Sequence, residues 1–190
     1  MRPLYVTFTG LGNATKSEEL LAMSCDFPVE WGILFHPTRE GSGRYPTLAH
    51  IQSLLELDLK FSAHLCGAYA RRVVHGESLP GTIVSLLNRF SRIQVNTAER
   101  NVEPKRIARF ANRFGARGIL QCRGLEHFPN DADVDWLFDR SGGKGQAPEQ
   151  WPVPEPSAAF VGYSGGLGLE TVASALSAIS SVVRPITATI

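Results

Sequence analysis

Three short segments carry residue types suited to chemistry on an oxyanion. SGGLGLETV, Ser164 to Val172, sets Gly165 and Gly166 between an apolar run and a helical pattern. Paired glycines let a backbone close on an oxyanion, and a following helix start adds N–H donors and a favourable dipole. The competing reading is a tight strand-to-helix turn that needs glycine for its own sake. FDRSGGKG, Phe138 to Gly145, places Asp139 before Gly142, Gly143 and Lys144; a solvated loop is the alternative there. HLCG, His64 to Gly67, puts an imidazole and a thiol two residues apart, hence on one face of a strand. An imidazole in that position can lower a thiol pKa, whereas the plainer reading is a buried Cys66 and a hydrogen-bonded wall histidine. His36, His64, Cys66 and Asp139 offer metal donors, but no HxH or HxxxH pair supports a metal site, and none is expected.

These groups need a frame. Leu4–Phe8, Val29–Phe35, Lys60–Leu65, Arg92–Asn96, Gly118–Cys122, Val134–Phe138 and Ala158–Tyr163 read as strands, and Val182–Ile190 as an eighth. Helical spacing falls between them: Ser17–Met23, a helix capped by Thr47, Tyr69–Val74, Gly81–Phe90, Pro104 to Gly115, and Glu170 to about Ile179. Strand–helix alternation implies a parallel sheet, and near-continuous apolar strands imply burial on both faces. Seven or eight such units favour a (β/α)8 TIM-type barrel, incomplete or shortened at the eighth unit, over an open doubly wound sheet. The barrel forms one compact domain over 1–190. In such a barrel the active groups lie at the C-terminal strand ends. Read there, the chain offers Thr9, His36, Arg44, His64, Cys66, Gln94, Asn96, Cys122, Arg123, Asp139, Arg140 and Ser164, a ring suited to a polar, anionic small molecule.

The chain has 190 residues, 43% hydrophobic and 19% charged, which fits one globular domain. A net charge of +1 gives no broad basic surface for nucleic acid or anionic membrane. Three widely spaced cysteines, no signal-peptide pattern and no membrane-length apolar run lead to the expectation of a soluble, cytoplasmic protein.

Four segments, in order, resemble phosphoribosylanthranilate isomerase: WGILFHPTREGSGRYP around the second strand, RIQVN at the fourth, VDWLFDRSGGKGQAPEQW at the sixth, and AAFVGYSGGLGLETV at the seventh. The resemblance covers most of residues 5–180. It implies a cofactor-free Amadori rearrangement of a phosphoribosyl aromatic amine. Asp139 would be the general acid, and Arg44 would pair with an anionic substrate group. Gln94, Gly142, Gly143 and Ser164 would also line the substrate, with Gly165, Gly166 and Leu167 offering backbone N–H groups to phosphate. The partner would be a small phosphorylated metabolite; a homodimer stays open. One departure bears on catalysis. The family's first strand ends in a catalytic cysteine, and here Thr9 stands in that place. A hydroxyl has no thiolate-like form near neutral pH, so the base falls to Cys66 or His64. The alternatives are an inactive barrel that binds a phosphorylated metabolite, and a different sugar-phosphate isomerase or epimerase.

Overall fold

A computed structural model describes residues 6–123, 127–142, 144–154 and 160–182. Seven strands form one all-parallel sheet in sequence order: β1 (Val6–Thr9), β2 (Val29–Phe35), β3 (Phe61–Leu65), β4 (Arg92–Val95), β5 (Arg117–Cys122), β6 (Asp135–Phe138) and β7 (Val161–Tyr163). The helices are α1 (Ser17–Asp26), α2 (Leu48–Leu55), α3 (Ala68–His75), α4 (Gly81–Leu87), α5 (Pro104–Asn112) and α6 (Val172–Val182). Every residue of β2 and β3 is buried, as a strand covered on both faces requires.

Local signals set the ends of these helices. Thr47 caps α2, accepting from the His50 N–H at 3.3 Å. Pro104 opens α5, where a missing N–H costs nothing. Gly76 closes α3 with φ +74, a conformation glycine adopts without strain. Ile107 and Ala111, four residues apart, bury the inner stripe of α5.

The two faces of the sheet differ in kind. Trp31, Ile33, Phe35, Leu65, Val95 and Leu120 lie on the face that belongs to the buried apolar core. The other phase carries polar groups: Thr7 opposite Glu30, Ser62 opposite Arg92, and His64 opposite Gln94. That face is concave. Arg92 on β4 pairs with Glu30 on β2 at 2.8 Å, and its Nη2 lies 3.5 Å from Thr7 Oγ1 on β1. In a flat sheet β1 and β4 stand three strand spacings apart, roughly 14 Å, beyond the reach of one side chain. The sheet is therefore curled, a half-barrel among the described residues.

Several expectations change in detail. The first strand spans Val6–Thr9; Leu4 and Tyr5 lie outside the described residues, as does nearly all of Val182–Ile190, the expected eighth strand. Val182 itself ends α6. α6 starts at Val172 rather than Glu170, and the turn before it is tied by the Gly168 N–H donating to Thr171 Oγ1 and the Val172 N–H donating to the Gly168 carbonyl, each at 2.9 Å. Among the described residues no helix joins β5 to β6 or β6 to β7. Those crossovers run through segments rich in Gly, Pro and Asp. Among the described residues the sheet edges are β1 and β7. Val6 and Phe8 on β1 are 46% and 42% exposed, and Phe160 before β7 is 61% exposed. No helix among the described residues is long and apolar enough to cross a membrane.

Candidate functional site at the C-terminal strand ends

Thr9 ends β1, Asp139 follows β6 and Ser164 follows β7, so all three lie at the C-terminal edge of the parallel sheet. Two clusters form there.

The first surrounds Asp139. Among the donors to its buried carboxylate are Gln121 Nε2 to Oδ2 at 2.9 Å, Ser141 Oγ to Oδ1 at 2.8 Å, and the Gly142 N–H to Oδ1 at 3.1 Å. Gln121 in turn accepts from Arg123 Nη2 at 3.2 Å. The seventh-strand turn stands beside this carboxylate: a Cβ placed on Gly165 would lie 3.5 Å from Asp139 Oδ1. Ser164 is tied down by its N–H and hydroxyl, both donating to the Phe138 carbonyl at 2.8 and 3.1 Å. Gly165 and Gly166 have φ of +100 and +65. Their missing side chains admit the β6–β7 loop. A Cβ on Gly165 would come 2.9 Å from the Gln146 carbonyl oxygen, and one on Gly166 would come 2.4 Å from the Ala147 nitrogen. The glycine pair is thus required by close backbone approach within the protein. Leu167 beyond the turn is exposed, and Gly143 lies outside the described residues.

The second cluster lies on β3 and β4. His64 is buried, with Nε2 3.1 Å from Ser62 Oγ, and burial pushes its pKa down to about 4. It shares the space over Gly32 with Thr9: a Cβ on Gly32 would stand 2.8 Å from both His64 Nε2 and Thr9 Cγ2. Of the two readings of His64 and Cys66, the plainer one fits the hydrogen-bonded histidine, and no imidazole–thiol contact forms. Cys66 Sγ instead meets Asn96 Nδ2 at 3.2 Å and the His64 backbone carbonyl at 3.6 Å. Burial raises the Cys66 pKa, opposed more weakly by the Asn96 hydrogen bond and by Arg44 and Arg39. Gln94 Nε2 donates to Asn96 Oδ1 at 2.7 Å and so orients the amide that faces the thiol. Arg44, exposed in the β2–α2 loop, lies with its guanidinium carbon 6.0 Å from the Tyr45 ring centroid.

Cys122, expected at the mouth, belongs to the other face. It pairs with Phe138, lies in the apolar core, and burial raises its thiol to about 12. Its neighbour Gln121 occupies the polar phase and touches Asp139. Gln121 escaped the sequence reading, although a lone amide inside the apolar run GILQC was a signal for it. No protein-family model matches the chain, and no curated protein matches it.

Proposed function

We propose that the chain is a phosphoribosylanthranilate isomerase-like (β/α)8 protein whose mouth takes a phosphorylated ribosyl amine. The observation that carries this reading is the Asp139 carboxylate, held by Gln121, Ser141 and Gly142, directly beside the Gly165 turn. A carboxyl group there and a backbone turn after the seventh strand are the two parts an acid-assisted ring opening of a phosphorylated sugar calls for. Arg44, Gln94 and Ser164 border the same edge of the sheet. The partner is a small phosphorylated metabolite, and the rearrangement needs no cofactor.

A second reading, ligand binding without turnover, has its own support. Thr9 replaces the thiol base, burial raises the Cys66 pKa, and His64 is enclosed against Ser62 with its pKa near 4. General-base catalysis contributes typically about 10²–10⁴-fold, so its loss leaves a binder. The test is an Amadori-rearrangement assay on the wild type and on Thr9→Cys. The wild type is expected to be slow or inactive. A thiol at position 9 would sit beside the His64 imidazole across Gly32, and a rise in rate is expected. If Thr9→Cys gains nothing and Asp139→Asn leaves phosphosugar binding unchanged, the reading falls.

A further inference from the structure

Arg123 follows β5 directly, on the polar side of the sheet's C-terminal edge. Its residue is exposed, yet its head group is seated. Nη2 donates to Gln121 Oε1 at 3.2 Å, and the guanidinium lies against Gly142: a Cβ there would come 2.7 Å from Nη1 and 2.8 Å from Nη2. Gly142 has φ +61, so both its backbone conformation and its missing side chain suit this contact. The Gln121 amide therefore holds a cation at its oxygen and the Asp139 carboxylate at its nitrogen. A guanidinium carries five N–H donors and the Gln121 bond uses one. Among the described residues Arg123 stands in no ion pair with a carboxylate.

We propose that Arg123 is the oxyanion-recognition residue of this mouth, binding an acidic group of the ligand next to Asp139. The proposal rests on the reading of the mouth as a site for a phosphorylated sugar, and it names which residue supplies the charge. A planar fork favours bidentate contact with a carboxylate or phosphate. The Gln146 carbonyl oxygen packs on the side of Gly165 where a Cβ would stand, so that flank of the turn is already occupied. Holding the guanidinium in advance also lowers the entropy lost when a ligand arrives.

Calorimetric titration of the wild type, Arg123→Gln and Arg123→Lys with inorganic phosphate, ribose 5-phosphate and 6-phosphogluconate tests this. Arg123→Gln is expected to weaken binding by about tenfold or more, the usual weight of a charged hydrogen bond. Arg123→Lys should recover part of that loss, and melting temperatures of the variants check that the fold is retained. Weakening of all three ligands means that Arg123 reads phosphate. Weakening of 6-phosphogluconate alone means that it reads a carboxylate. If the wild type binds and Arg123→Gln binds equally well, the proposal is wrong while the phosphosugar reading stands. If the wild type binds none of the three, both fall together.

Discussion

At the scale of single residues, strand phase decides which side chains meet. Thr9 meets His64, and Gln121 meets Asp139, because each pair shares the polar phase, while Cys122, one residue from Gln121, joins the core. Choosing residues by position at a strand end ignores that alternation. That is why Cys122 was expected at the mouth and Gln121 was missed. His64 illustrates a second consequence of burial. The unfolded chain takes up this proton near pH 6.5, whereas the folded protein takes it only near pH 4. Its contribution is thus fully present above about pH 6.5 and is lost as pH falls through that window, by about 3 kcal/mol in total. Urea midpoints of the wild type and His64→Gln, measured from pH 7 to 4.5, check this. The variant should lose less stability on acidification; parallel curves would show that His64 does not titrate this way.

Elements and their connections explain what the chain's pattern reveals and what it hides. Strands such as Val29–Phe35 stand out because both faces are buried and the apolar run is unbroken. Helix starts at Thr47 and Pro104 are legible because each rests on one local feature. The packing of the 140–154 loop on the seventh-strand turn is not legible, since it joins segments through backbone atoms that carry no sequence signature. SGGLG reads equally as a phosphate turn and as a close-packing turn, and the contact with Gln146 and Ala147 supplies the second requirement whatever the ligand. Gly166→Ala should therefore destabilise the protein by at least about 1–2 kcal/mol through its positive φ alone, with overlap against Ala147 added. The loop should also loosen. Limited trypsin digestion is expected to cut faster after Arg140 or Lys144 in the variant. Unchanged cleavage together with an unchanged urea midpoint would mean that the loop does not pack on this turn in solution.

The whole molecule depends on a curl that polar groups on its inner face help to fix. Thr7, Glu30 and Arg92 connect β1, β2 and β4: Thr7 Oγ1 donates to Glu30 Oε1 at 2.9 Å, and Arg92 reaches both oxygens of Glu30 at 2.8 and 2.9 Å. Burial raises the pKa of this carboxyl group, opposed more weakly by Ser62, Thr7 and Lys60. Burial likewise pushes Arg92 down to about 10, with Asp135 on β6 opposing the shift. Glu30 is enclosed and Arg92 mostly so, with side-chain exposures of 5% and 19%. Removing one partner strands the other in a poorly solvated site, which costs about 3–5 kcal/mol, whereas replacing both with uncharged groups is often close to neutral. Arg92→Met is therefore expected to lose stability near the lower end of that range, because its side chain retains some solvent contact. Glu30→Gln combined with Arg92→Met should recover much of the loss. Urea unfolding of the two single variants and the double variant measures the coupling directly. Additive losses would mean that the pair contributes through packing alone, and that the curl is set by the apolar face under the helices.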